Sequence, residues 1–123
     1  MENTTPPTTL LKRKENIVTK PFDKCHDGKG AIEWTNVLGG EDLKDRHLRF
    51  FHDDIIPPGV SIGVHAHKDE EYYYVLSGRG IMSLDSKTFE IKAGDIAAVF
   101  PGGSHGLENT GTEPMRIIVA CAN

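Results

Sequence analysis

Apolar residues in this 123-residue chain fall into short runs separated by turn-forming residues, from Ile17 to the C-terminus. Eight segments carry the make-up of strands: residues 32–37, 46–56, 60–65, 72–76, 81–84, 89–91, 96–100 and 115–121. In the third, Val60, Ile62 and Val64 alternate with Ser61, Gly63 and His65, which predicts one apolar face and one small or polar face. Turn-forming clusters lie between the segments, among them Pro57-Pro58-Gly59, Ser77-Gly78-Arg79-Gly80 and Pro101-Gly102-Gly103-Ser104. Pro58-Gly59 suits the centre of a type II turn, where proline presets φ and glycine accepts a positive one. Only residues 40–45 hint at a helix. Many short strands at near-regular spacing predict an all-β sandwich or barrel. Residues 1–15, with the tract Thr4-Thr5-Pro6-Pro7-Thr8-Thr9, have nothing to bury and read as a flexible leader, and residues 16–123 read as one domain.

Composition narrows the partners. The net charge is −4, from 14 basic and 18 acidic residues, and Lys12-Arg13-Lys14 is the sole basic run. A nucleic-acid binder needs a basic stripe, so no nucleic-acid partner is expected. Charge or glycine interrupts every apolar run before the ~20 residues of a membrane span, and the N-terminus has no apolar signal core. Cys25 and Cys121 stand far apart without zinc-ribbon spacing, which fits free thiols in a reducing compartment. The cytoplasm is the expected location.

Chemistry concentrates in residues 63–78, GVHAHKDEEYYYVLSG. On a helix His65 and His67 would diverge by about 200°, but on a strand they share a face about 6.5 Å apart and can reach one metal ion. A carboxylate follows the Lys68-Asp69-Glu70 turn, and parity alone leaves Glu70 and Glu71 both open as a third ligand. Downstream, the turn closing segment 96–100 presents His105.

Gly59-x5-His65-x-His67-x3-Glu71-x6-Gly78 resembles the first motif of the cupins, and Gly94-x5-Phe100-x-Gly102-x2-His105-x3-Asn109 resembles their second. Phe100 departs from the family's proline, which shapes a turn and binds no metal. The resemblance implies a double-stranded β-helix, or jelly-roll barrel, around one divalent transition metal. It also selects Glu71 over Glu70 and makes His65, His67, Glu71 and His105 the ligand set. Three neutral imidazoles and a carboxylate suit Mn, Fe, Ni, Co, Cu or Zn alike and leave two octahedral positions open. Barrels of this family commonly pair as homodimers, often by exchanging an N-terminal strand, for which residues 32–37 are the candidate.

The remaining candidates divide. If Glu71 points inward so does Tyr73, whose hydroxyl is the candidate catalytic group; Phe100, Met82 and the last strand's aliphatics are expected to line the pocket with it. His47, His52 and Arg49 read as exposed, Cys25-His26 as a loop, Cys121 as core and Asn109 as a turn organiser. The expected function is metal-dependent chemistry on a small oxygen-bearing molecule. The absence of a visible Arg/Lys cluster favours an O2-dependent dioxygenase or lyase over a sugar isomerase. The alternative is a non-catalytic module that binds or senses a small ligand.

Overall fold

The computed structural model describes residues 7–123. It contains ten strands: β1 Val18–Asp23, β2 Ala31–Gly39, β3 Leu48–Ile56, β4 Ser61–Ala66, β5 Glu70–Ser77, β6 Arg79–Leu84, β7 Lys87–Lys92, β8 Ile96–Val99, β9 Ser104–Glu108 and β10 Met115–Ala122. They form two antiparallel sheets, one in the order β1-β2-β3-β10-β5-β8 and one in the order β4-β9-β6-β7. There is no α-helix among the described residues, and the segment that hinted at one forms a single 3-10 turn, Gly40–Leu43. No helix of the described residues is long and apolar enough to cross a membrane.

Period-two patterning explains the central strands. β10 buries Met115, Ile117, Val119 and Cys121 and turns the intervening residues outward. Its register sets the inner rows of the large sheet: Ile117 lies level with Asp54 and Val75, Val119 with His52 and Tyr73, and Cys121 with Phe50 and Glu71. Ile56, Ile62, Tyr73, Val75, Met82, Leu107, Met115 and Ile117 pack into one core between the sheets. Burying each such side chain contributes roughly 1.5–3 kcal/mol before chain entropy is counted. The Pro58-Gly59 turn closes with the Val60 N–H donating to the Pro57 carbonyl at 3.1 Å, and Gly59 takes φ 80°.

Two strands lie outside the sequence expectation. β1 is exposed along its whole length and has no inward alternation; backbone pairing with β2 alone makes it a strand, and its edge position tolerates Pro21. β9 reads as a glycine turn in sequence, yet Gly106 lets it pass close against β4, where a Cβ would meet Val64 Cγ2 at 2.9 Å. Part of the predicted leader, residues 1–6, falls outside the described residues. Beyond it, the Pro7 carbonyl accepts from Arg46 at 2.6 Å, and Lys12 pairs with Asp42 at 2.9 Å. Residues 32–37 lie in β2, paired on both edges, with β1 and with β3.

Candidate metal centre

β4 and β9 pair with His65 directly opposite His105. This pairing requires a bulge. Ile62 faces Leu107, three residues before His65, whereas Leu107 is only two residues from His105, so β4 carries one extra residue at Gly63–Val64. The simple alternation expected for residues 60–65 is therefore wrong from Gly63 onward. Ile62 and His65 both point inward, and Val64 is turned out at 61 % exposure. Past the strand end, the His67 N–H donates to the Gly103 carbonyl at 3.1 Å and the Gly102 N–H to the His67 carbonyl at 3.0 Å. The glycine turn before His105 is thereby zipped to the segment carrying His67.

Four side chains converge there. His65 Nε2 lies 3.0 Å from His67 Nε2 and 3.1 Å from His105 Nε2. Glu71 Oε2 lies 3.1 Å from His67 Nε2, and Oε1 lies 3.3 Å from His105 Nε2. One donor atom from each of the four lies within 4.8 Å of every other, so the group could hold a metal ion. With metal–nitrogen bonds of about 2.1 Å, neighbouring donors sit ~3.0 Å apart in an octahedron and ~3.4 Å in a tetrahedron. The observed separations, 3.0 to 3.3 Å, span the interval between these values and suit either geometry. The His65 Nδ1–H donates to the Gly63 carbonyl at 2.7 Å, which leaves the Nε2 lone pair facing the cluster. His105 Nδ1 is buried without a partner among the described residues.

The structure brings Glu71 to the histidines and leaves Glu70 outside the group. Burial pushes the Glu71 carboxyl upward, but the hydrogen bond from His105 and the charges of the surrounding histidines outweigh it, and its pKa is lowered overall. Burial holds His65 down to about 4, and the neighbouring histidines add to that effect. Both shifts favour the unprotonated forms that metal binding needs. Tyr73 is buried one inward position along from Glu71, its ring 4.7 Å from that of His105. Burial first, then the Glu71 carboxylate, raises its hydroxyl well above the usual tyrosine pKa, so the group is a neutral donor.

Sequence reasoning missed two neighbours. His26 does not float in a loop: its imidazole stacks on that of His65 with centroids 3.4 Å apart and planes 9° apart. Its carbonyl occupies the space a Cβ at Gly63 would fill. A glycine inside a strand marks such close backbone approach, and that was the available signal. His52 is not exposed either. It lies on the inner face of β3, 14 % exposed, accepting from Trp34 Nε1 at 3.1 Å. Burial lowers it to about 4. Beside it, Asp54 is buried and accepts from the Thr35 N–H at 3.2 Å, and desolvation raises its carboxyl to about 7. Cys25, packed against the same core, is raised to about 11 by burial, with Asp54 and Glu71 contributing.

Other candidates lie elsewhere. His47 and Arg49 are exposed. Met82 is buried in the core, and Phe100 is 58 % exposed, edge-on to Tyr72, so it does not line the site as expected. Its position just past β8 turns it to the outer surface. Asn109 binds no cluster atom. Its Nδ2 donates to the Ile56 and Glu113 carbonyls at 2.8 Å each, and its Oδ1 accepts from Gly111 at 2.9 Å. A surface cleft of about 290 Å3 beside Arg79, Glu90 and Thr110 shares no residue with the cluster.

Comparison with known proteins agrees with this architecture. The Cupin domain family model matches residues 53–121. The oxalate-binding protein of Thermotoga maritima is 34 % identical over 112 residues, covering 90 % of this chain and 92 % of that protein. The dimethylsulfoniopropionate lyase DddW of Ruegeria pomeroyi is 28 % identical over 94 residues, covering 76 % of this chain and 60 % of that enzyme. The crystal structure of a predicted oxalate decarboxylase from Thermotoga maritima superimposes with a TM-score of 0.84 at 32 % identity, over 92 % of this chain and 98 % of that one. With a family model spanning both histidine-bearing motifs and a relative matched nearly end to end, the chain belongs to the cupin family.

Proposed function

We propose that His65, His67, Glu71 and His105 hold one divalent transition-metal ion (Mn, Fe, Ni, Co, Cu or Zn), and that this centre takes a small oxygen-bearing acid, oxalate first among candidates. The observation that carries the reading is the convergence of four side chains from both sheets, with neighbouring donor atoms 3.0–3.3 Å apart and one donor from each within 4.8 Å of every other. When bound, such an ion supplies Lewis acidity and, for the redox-active metals, one-electron chemistry. The surrounding wall supplies neutral groups: the Tyr73 hydroxyl, the Cys25 thiol and the imidazoles of His26 and His52. None of these is a fixed cation, so the ion would carry the charge of the ligand. A compact chelating acid fits that arrangement better than a phosphosugar.

For catalysis, we assign Tyr73 Oη the role of holding a proton beside the reacting oxygen. An O2-dependent dioxygenase or lyase is favoured over a phosphosugar isomerase because the groups around the cluster are neutral and include no cluster of Arg and Lys to hold a phosphate. The second reading, a binding module without turnover, is supported by the description of the Thermotoga maritima relative as a binding protein. Free Cys25 and Cys121 fit a reducing compartment and so the cytoplasm. A homodimer fits the exposed Tyr74, Leu76 and Ile96 on the outer side of β5 and β8. Calorimetry with oxalate on protein loaded with each metal, followed by product analysis under O2, separates the readings. Turnover establishes the enzyme, binding without turnover the module, and no binding by any metal form refutes both as stated for oxalate.

A further inference from the structure

His52 is held by two aromatic rings. Phe50 stacks on one face at 4.2 Å and 15°, and Trp34 stands edge-on at 5.1 Å and 79° while donating its indole N–H to Nδ1. An indole nitrogen can only donate, so Nδ1 must present a lone pair, and the ring carries its proton on Nε2. Asp54 Oδ2 stands 3.9 Å from Nδ1, too far for a hydrogen bond. Nε2, on the side of the ring turned away from Trp34 and Asp54, has no protein acceptor among the described residues. The side chain retains 14 % exposure although it lies on the inner face. Along that face His52, Val119 and Tyr73 form one row, which places His52 and Tyr73 two strands, ~10 Å, apart, with Tyr73 adjoining the metal cluster.

We propose that His52 is a ligand-recognition residue, fixed by Trp34 as a neutral Nε2–H donor to an oxygen of the acid seated on the histidine–glutamate cluster. The inference rests on the proposed function and narrows its ligand class. The ligand chelates the ion and turns a further oxygen, as a hydrogen-bond acceptor, toward β3. Trp34 acts as a positioning residue through the tautomer it enforces.

The test uses zinc-loaded protein labelled with 15N at its histidines. His52 is expected to show a protonated Nε2 and a bare Nδ1, and oxalate is expected to move the Nε2–H resonance. His52→Phe should weaken oxalate binding about tenfold or more, the loss of one charge-assisted hydrogen bond, while still binding one zinc per chain. His52→Gln, whose amide can donate, should recover part of the affinity. Trp34→Phe should leave zinc bound and let the Nδ1–H tautomer appear. Equal oxalate affinity in wild type and His52→Phe, a wild-type Nδ1–H tautomer, or an Nε2–H signal indifferent to oxalate would overturn the inference while leaving the proposed function standing. Failure of the wild type to bind oxalate with zinc or with any other of the candidate metals would remove the functional reading and this inference with it. If His52→Phe does not fold, the wild-type resonances decide.

Discussion

The imidazole of His26 lies flat on that of His65, 3.4 Å away, although the two residues belong to segments separated by two strands of sequence. The loop that delivers it is unusual: Lys24, His26 and Asp27 all take left-handed backbone conformations, at φ 52°, 50° and 62°. Such conformations cost roughly 1–3 kcal/mol each for residues other than glycine. They persist because the loop is bound to β4: the Ser61 N–H donates to the Lys29 carbonyl at 2.9 Å, and the Lys29 N–H to Ser61 Oγ at 2.9 Å.

His26→Ala is predicted to weaken zinc binding about 3- to 10-fold, because a stacked aromatic pair contributes roughly 0.5–1.5 kcal/mol to holding His65 in place. His26→Phe preserves the stack and should retain most of the affinity. Competition with a chromophoric chelator measures both. Equal zinc affinity in wild type and His26→Ala would show that the stack does not orient His65.

Asp54 sets a pH dependence of stability. Its carboxyl rises from about 3.8 to about 7 on folding, chiefly through desolvation, so the native chain binds a proton that the unfolded chain has released. The associated stabilisation is complete below pH ~4 and is lost as pH rises toward 7, by at most about 4 kcal/mol. In metal-free protein, Asp54→Asn should therefore melt higher than wild type at pH 8, with the gap closing toward pH 4. His52 and His65, both lowered to about 4, act in the opposite sense, losing stability as pH falls from about 6.5. A constant gap between Asp54→Asn and wild type across this range would contradict the buried, neutral acid.

Asn109 ties the β9 end to two separate backbone segments. Asn109→Ala leaves the Ile56 and Glu113 carbonyls without their donor and should cost roughly 2–4 kcal/mol in urea unfolding. Metal stoichiometry of the folded variant should stay at one ion per chain, since no Asn109 atom approaches the cluster. A loss below about 1 kcal/mol would mean that water replaces the amide.

Much of this architecture was legible in the residues. β5 and β10 show as apolar and aromatic runs bounded by turn residues, and the two motifs, with glycines at Gly59, Gly78, Gly94 and Gly102, mark the ends around His65, His67, Glu71 and His105. What escaped has physical causes. β1 buries nothing, so no periodicity betrays it. The Gly63–Val64 bulge reverses facing within β4, and period-two reasoning cannot register an inserted residue. His26 reaches His65 from 39 residues earlier in the chain, joined to it only by tertiary packing, and His52 is turned onto the inner face of β3. Trp34, which turns His52 from a surface residue into a fixed donor, gives no local sign of that partnership.

The central claim is the four-residue metal centre, and metal stoichiometry tests it most directly. Protein stripped with chelator, reloaded with zinc or manganese and desalted should carry one ion per chain by mass spectrometry. His105→Ala, which removes a donor 3.1 Å from His65 and 3.3 Å from Glu71, should carry far less under the same treatment while remaining folded by circular dichroism. Wild-type protein that retains neither ion, or a His105→Ala variant that keeps a full equivalent, would contradict the account.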